Sequence, residues 1–155
     1  MDLFNYSRRE SSEVNIGATP LGGNHPIRIQ SMTNTVTMDT GACVEQAKRI
    51  INAGGEYVRL TTQGVREAEN LRNINIGLRS QGYDTPLVAD VHFNPKVADV
   101  AAQYAEKVRI NPGNYVDPGR TFRKLDWSLS LIAMELIVKG NQAVIIDSIK
   151  FICLA

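Results

Sequence analysis

The chain of 155 residues is long enough to bury one ordinary hydrophobic core, so we expect one domain or part of one. Its formal net charge of +1 gives no argument for binding to nucleic acid or to an anionic membrane, and 43% hydrophobic residues is typical of a globular protein. The two cysteines, Cys43 and Cys153, lie far apart in the sequence and form neither a disulfide framework nor a metal motif.

No segment of the sequence predicts insertion into a membrane. The N-terminus lacks the continuous apolar stretch of a signal peptide. The apolar stretch from Leu129 to Val138 is shorter than the roughly 20 residues that a membrane span needs. We therefore expect a cytoplasmic protein.

Residues 1–26 are expected to form an N-terminal extension with a β-hairpin. An alternating pattern at 13–17 resumes at 26–30, and Gly22-Gly23-Asn24 is the predicted turn between them. The second arm of this hairpin would lead directly into the first core strand.

Residues 27–124 show short apolar runs that alternate with helical patterns. The predicted core strands start at about Ile27, Tyr57, Leu87 and Lys107. Three helices are predicted between them: one capped by Asp39 or Thr40 and reaching Ile51, one over Val65–Ser80, and one opened by Pro95. This order predicts an α/β fold with a parallel sheet.

Two architectures fit this repeat. A (β/α)8 barrel needs roughly 200 to 250 residues, so four units would be about half of one. A doubly wound open sheet could close within this length, but its usual Gly-rich phosphate motifs are absent from the sequence. We favour the N-terminal half of a TIM (β/α)8 barrel, preceded by the hairpin.

Polar residues stand where the predicted strands end, which is where parallel sheets collect their active-site groups. Arginine presents a rigid fork of donors, and two such forks could grip one diphosphate. His92 could donate a hydrogen bond or carry a proton, and Asp90 could accept from substrate hydroxyls or orient an arginine. The candidates are Arg59, Asp90, His92, Arg109 and Asn111, with Gln30 as a neutral donor and acceptor. The alternative for any one of them is a structural ion pair between strands.

Three motifs in this region resemble 4-hydroxy-3-methylbut-2-enyl diphosphate synthase. They are Gln30-Ser31-Met32-Thr33-Asn34-Thr35, Val88-Ala89-Asp90-Val91-His92-Phe93 and Val108-Arg109-Ile110-Asn111-Pro112-Gly113-Asn114. Arg59 also falls in the family's register. The resemblance covers roughly Ser7 to Lys124, and the opening residues are most similar to the longer, insert-containing form of the family.

The resemblance implies a barrel that binds the diphosphate of 2-C-methyl-D-erythritol 2,4-cyclodiphosphate, in the non-mevalonate route to isoprenoids. It implies an oxidoreductase whose [4Fe-4S] cluster is held by three cysteines and a glutamate in a further domain. Flavodoxin or ferredoxin would supply the electrons, and the complete protein would be a homodimer. Arg59, His92 and Arg109 match positions that contact the diphosphate, Asp90 and Asn111 match polar positions of the same pocket, and Gln30, Ser31 and Asn34 are further substrate-binding candidates.

Residues 125–155 do not resemble the family and are interpreted as a divergent apolar tail. We expect an apolar helical stretch over Leu129–Val138 and then a strand at Ala143–Ile146. The final residues are too apolar for a natural soluble terminus, so a truncated or misjoined reading frame is expected. The cluster ligands are absent from the chain, so we expect no synthase activity from it alone.

Two other functions are compatible with the sequence. One is a non-catalytic α/β module that binds an anion or pairs with a partner half. The other is a barrel enzyme of the pterin-binding kind, whose strand ends also collect Asp, Asn and Arg. A pterin-type enzyme would not need a cyclic diphosphate, so competition between ligands separates it from the synthase.

Overall fold

A computed structural model describes residues 11–92, 94–110, 134–139 and 142–146. Within these ranges, an antiparallel pair of strands, β1 (Val14–Ile16) and β2 (Thr19–Leu21), precedes a six-stranded sheet. The six strands lie in the order β3 (Gln30–Met32), β4 (Tyr57–Thr62), β5 (Leu87–Val91), β6 (Lys107–Ile110), β7 (Met134–Lys139) and β8 (Gln142–Ile146). The helices are α1 (Thr40–Asn52), α2 (Val65–Arg79) and α3 (Pro95–Ala101).

The strands β3 to β6 form the predicted parallel repeat. Each strand pairs in parallel with the next, and one helix connects each consecutive pair. The α/β class and the order of the first half of a (β/α)8 barrel are therefore confirmed. All four strands present their carboxyl ends at the same edge of the sheet, which is where the candidate site residues stand.

The helices begin and end close to the predicted residues. Asp39 is the N-cap of α1, because its side chain accepts a hydrogen bond from the backbone N–H of Ala42 at 3.0 Å. Asn94 caps α3 in the same way, accepting from the N–H of Lys96 at 3.0 Å, and Pro95 occupies the first turn. Beyond α1, Gly54 has a φ of 96°, a left-handed conformation that glycine adopts without steric cost at the end of a helix.

The two faces of the parallel sheet have different roles. One face packs against the helices and forms the main core, which includes Val58, Leu60, Leu87, Ala89, Val91, Val108 and Ile110. On the opposite face, Tyr57 and Val88 pack against Ile16 of the hairpin. Tyr57 Oη also donates to the carbonyl oxygen of Thr19 at 3.2 Å. The hairpin thus covers the amino-terminal part of this face, and the polar residues lie in its carboxyl-terminal part.

The predicted hairpin is wrong in its turn and in its second arm. The structure pairs β1 with Thr19–Leu21 rather than with 26–30, and the turn is at Gly17, whose φ is 57°. A short loop with glycine in the left-handed region matches the twist of the two strands. The hairpin therefore turns at Gly17 rather than at Gly22 and Gly23.

The first core strand also starts later than predicted, at Gln30 instead of Ile27. The backbone N–H of Ile29 donates to the side chain of Glu56 at 2.9 Å, and only the Ile29 carbonyl oxygen bonds to β4, accepting from the N–H of Tyr57 at 3.1 Å. Ile27 and Ile29 are consequently 82% and 61% exposed at the edge of the sheet that β3 forms.

The predicted apolar helix of the tail is wrong where the structure describes it. Met134–Lys139 is the strand β7, which pairs antiparallel with β6 and with β8. An open sheet edge offers unpaired backbone groups, and the aliphatic β-branched residues of this stretch suit a strand there. β8 confirms the predicted strand at Ala143–Ile146, and residues 129–133 lie outside the described ranges.

Candidate functional site

The candidate site is centred on Asp90, the fourth residue of β5. Val88 and Asp90 share the sheet face opposite the helices, because side chains alternate along a strand. Asp90 is only 1% exposed. A buried carboxylate needs partners that compensate for its lost hydration, so its neighbours determine what this site can do.

Two arginines from the flanking strands provide this compensation. Arg59 of β4 donates from Nη2 to Asp90 Oδ2 at 2.5 Å. Arg109 of β6 donates from Nη1 to Asp90 Oδ1 at 2.9 Å. Each carboxylate oxygen thus receives one guanidinium group, and the three strands are joined through their side chains. The two arginine side chains remain 25% and 23% exposed, so solvent reaches both.

His92 stands at the same strand end, two residues after Asp90 and on the same face. Its Nε2 lies 3.7 Å from Asp90 Oδ2, and its side chain is 35% exposed. This distance is too long for a hydrogen bond but close enough for an ion pair when the imidazole is protonated. The structure therefore brings together four of the predicted site residues.

The charges of this cluster favour an anion. Among the side chains that the structure describes, two guanidinium groups against one carboxylate leave one positive charge in excess, and a protonated His92 adds another. Each guanidinium group has five N–H donors, and only some of them are used on Asp90. Among the described residues, Arg59 Nε is buried without a hydrogen-bond partner, and so is Thr33 Oγ1.

Both arginines occupy the same place in a short repeated pattern that the sequence analysis missed. Glu56-Tyr57-Val58-Arg59-Leu60 and Glu106-Lys107-Val108-Arg109-Ile110 share Glu, Val, Arg and an aliphatic residue at equal spacing. Each glutamate immediately precedes its strand, and each arginine points to the face opposite the helices. The repeat was readable from the sequence as two copies of Glu-x-Val-Arg fifty residues apart.

The three further candidates of the first motif lie at different places. Gln30 is exposed and pairs in register with Tyr57, on the sheet face that carries the arginines. Ser31 pairs with Val58, which belongs to the helix-side core, so it lies on the other face. Asn34 Oδ1 accepts a hydrogen bond from Gln46 Nε2 at 2.7 Å. Asn111 lies outside the described residues.

The loop after β3 is held by hydrogen bonds to side chains that were not predicted from the sequence. Gln46 Oε1 accepts from the backbone N–H groups of Asn34 and Thr35 at 3.1 and 3.2 Å. Asn70, which is 8% exposed, donates from Nδ2 to the carbonyl oxygen of Thr37 at 2.8 Å. The available signal was a polar residue between Ala68 and Leu71, on the buried face of α2.

The iron–sulfur cluster that the sequence resemblance implies does not fit the described residues. Cys43 is fully buried against the core, where its Sγ lies 3.1 Å from Thr35 Oγ1. Burial raises the pKa of this thiol, which disfavours the thiolate that a metal requires. Within the described ranges, no group of three or more His, Cys, Asp or Glu residues could hold a metal ion.

None of the helices among the described residues has the length and apolar character needed to cross a membrane.

Comparison with known proteins supplies a family and several relatives. Residues 11–146 match the family model of the GcpE TIM-barrel domain. Over 136 residues, 88% of this chain, it is 90% identical to the "4-hydroxy-3-methylbut-2-en-1-yl diphosphate synthase (flavodoxin)" of Phocaeicola vulgatus. Proteins of the same name from Bacteroides thetaiotaomicron and Parabacteroides distasonis are 82% and 60% identical over equally long matches. The chain spans 22% of the length of each of these relatives.

Proposed function

Because this chain belongs to the GcpE TIM-barrel family, as its motifs predicted, we propose that it supplies substrate-binding residues of a 4-hydroxy-3-methylbut-2-enyl diphosphate synthase. The proposed substrate is 2-C-methyl-D-erythritol 2,4-cyclodiphosphate, and the reaction is its reductive opening in the non-mevalonate route to isoprenoids. The complete enzyme is an oxidoreductase, and the contribution of this chain is to bind and orient the diphosphate.

The observation that supports this proposal is the convergence of Arg59 and Arg109 on Asp90. Three neighbouring strand ends place two guanidinium groups at one point, and both arginine side chains retain access to solvent. Phosphate oxygens suit the planar fork of arginine, and charge-assisted bonds are roughly twice as strong as neutral ones. A cyclic diphosphate offers several such oxygens within the span of two forks.

The residues have distinct proposed roles. Arg59, Arg109 and His92 contact the diphosphate, and Asp90 and Asn111 line the same pocket. Gln30 stands on the correct sheet face to reach the carbon part of the substrate. Ser31 lies on the helix side of β3 and Asn34 is bonded to Gln46, so both would have to change conformation to contact the ligand.

We do not assign the redox step of the proposed reaction to any of the described residues. The relatives' name includes flavodoxin, and we propose it as the electron donor of the complete enzyme. The cluster needs three cysteines and a glutamate by resemblance, whereas the 155 residues contain two cysteines, of which Cys43 is enclosed in the core. We therefore derive no step through the cluster and expect no turnover by this chain alone. The homodimer and the cytoplasmic location stay predictions.

Calorimetric titration of the chain with the cyclodiphosphate tests the proposal, with Arg109→Met as the informative variant. Removing a charge-assisted bond should weaken binding by about 1.5–3 kcal/mol, or roughly 10- to 150-fold. Arg72→Met is the matched control, because Arg72 is exposed on α2, which packs on the sheet face opposite the two arginines. Equal affinity of the Arg109 variant and the wild type would contradict the proposal.

A second candidate function is a non-catalytic anion-binding module, for which the two partly exposed arginines at the strand ends would suffice. The same titration separates the two functions. A synthase fragment binds the cyclodiphosphate more tightly than inorganic pyrophosphate, whereas a general anion module binds both equally. Displacement of bound ligand by a pterin instead would support the pterin-binding kind of barrel.

A further inference from the structure

We propose that Asp90 is a positioning residue that holds Arg59 and Arg109 ready for the diphosphate and makes no contact with the ligand itself. The inference rests on the proposed function and specifies what Asp90 does in the pocket, where it bonds the two arginines rather than the ligand. It predicts that removing a negative charge from an anion site weakens anion binding.

The geometry of Asp90 supports this role. Its two oxygens are each engaged by a different arginine, at 2.5 and 2.9 Å, and the side chain is 1% exposed. A substrate hydroxyl would have to compete with two charge-assisted bonds to reach it. The arginines are considerably more exposed than the carboxylate, so the ligand meets the guanidinium groups first.

The positions of the three residues along their strands also matter. Asp90 pairs in register with Arg109, whereas Arg59 pairs with Val88, two residues earlier on β5. Arg59 must therefore extend along the sheet toward the strand ends, and its bond to Asp90 fixes the extended conformation. Among the described residues of β5, only Asp90 holds the guanidinium group of Arg59 at the level of Arg109.

Pre-ordering two long side chains has a large effect on affinity. An arginine that is mobile before binding loses conformational freedom when the ligand arrives, and this loss weakens the complex. Holding both arginines in advance removes that loss from the binding step. Simple charge repulsion acts in the opposite direction, because Asp90 repels the anion and its removal would strengthen binding.

The sign of one substitution distinguishes the two effects. We would titrate wild type and Asp90→Asn with inorganic pyrophosphate and with the cyclodiphosphate by calorimetry. Asparagine has nearly the same shape but offers only one acceptor oxygen, so it cannot hold both arginines. The inference expects roughly tenfold weaker binding of pyrophosphate by Asp90→Asn. Equal or tighter binding would overturn it.

The matched control is Asp84→Asn, which makes the same change in net charge. Asp84 is 88% exposed near the start of β5, and its closest cationic partner, Arg79 Nη1, is 3.9 Å away. This variant should bind pyrophosphate as the wild type does, or slightly more tightly. Weakening equal to that of Asp90→Asn would show that the loss of affinity is not specific to Asp90 and would overturn the inference.

A measurement on the wild type keeps the inference testable if Asp90→Asn does not fold. ¹⁵N relaxation of the arginine Nε–H groups reports whether Arg59 and Arg109 are ordered before ligand is added. The inference expects both groups to be ordered in the free protein and to change little on addition of pyrophosphate. Guanidinium groups that are mobile in the free protein and ordered only with the ligand would overturn it.

The proposed function and this inference fail in different ways. Wild type that binds pyrophosphate but not the cyclodiphosphate overturns the proposed function, while the pyrophosphate series still decides the role of Asp90. Wild type that binds both, together with an Asp90→Asn variant of unchanged affinity, overturns the inference alone. Wild type that binds neither overturns both.

Discussion

Glu106 accepts a hydrogen bond from the backbone N–H of Leu87 at 2.8 Å, which joins the starts of two neighbouring parallel strands. Glu56 does the same for Ile29 at 2.9 Å, at the starts of β4 and β3. Each glutamate also pairs with an arginine of its own neighbourhood, Arg79 or Arg28. These bonds fix where β4 and β6 begin and therefore where the arginine three residues after each glutamate is placed.

Glu106→Gln should destabilise the fold. Glu106 Oε1 receives Arg79 Nη2 at 2.9 Å, and its other oxygen receives the N–H of Leu87. The neutral amide loses the ion pair and offers only one acceptor oxygen, so we expect a loss of about 1–2 kcal/mol in unfolding free energy. Urea unfolding measures it, with Glu69→Gln, on the exposed side of α2, as the control. Equal midpoints for the two variants would contradict the prediction.

Glu56 should make stability depend on pH in the acid range. The bond from the Ile29 N–H, followed by that from Arg28, lowers the pKa of Glu56 in the folded protein below its ordinary value of 4.5. Because the folded state binds this proton less readily than the unfolded state, the stabilisation is present above pH 4.5 and is lost as the pH falls through the folded pKa.

Glu56→Gln should flatten this part of the pH profile. Urea unfolding between about pH 5 and pH 3 should show a smaller decline in unfolding free energy for the variant than for the wild type. Glu69→Gln serves again as the control and should follow the wild-type slope. If the two profiles of unfolding free energy against pH are parallel, the Glu56 carboxylate has the same pKa in the folded and the unfolded protein. That result would contradict the prediction.

Asn70→Ala should loosen the loop that follows β3. Asn70 donates to the Thr37 carbonyl at 2.8 Å, and its Oδ1 accepts from Thr40 Oγ1 at 3.1 Å and from Asn73 Nδ2 at 2.8 Å. Without Asn70 these groups lose their hydrogen-bond partner, so the free energy of unfolding should fall by about 1–3 kcal/mol. Asn52→Ala is the matched control, because Asn52 is exposed at the last residue of α1 and should change the stability by under about 0.5 kcal/mol.

Hydrogen exchange separates a local effect of Asn70→Ala from a global one. The backbone N–H groups of Asn34 and Thr35, which donate to Gln46, should exchange faster in the variant. The N–H groups of β5, at the centre of the parallel strands, should keep their protection relative to the variant's own global stability. Unchanged exchange at Asn34 and Thr35 would mean that Gln46 alone holds the loop.

The sequence predicted the parts of this site that depend on local periodicity. Arg59, Asp90 and Arg109 follow apolar runs of strand length, and alternation places each on the face away from the helices. The hairpin partner of β1 and the antiparallel strand β7 were not predicted, because pairing depends on which sheet edge is free. Asn70 and Glu106 were missed for a related reason: their partners are 33 and 19 residues away in the chain.

The pairing of Asp90 with its arginines can be tested through stability as well as through binding. Asp90 is 1% exposed, and the double variant Arg59→Met/Arg109→Met leaves this carboxylate without either guanidinium group. An uncompensated buried charge should cost about 3–5 kcal/mol of unfolding free energy. Adding Asp90→Asn removes the buried charge, so the triple variant should be more stable than the double variant although it carries one more substitution. Urea unfolding at neutral pH measures all three proteins. A triple variant no more stable than the double would show that the carboxylate is hydrated or otherwise compensated, and that the arginines do not stabilise it.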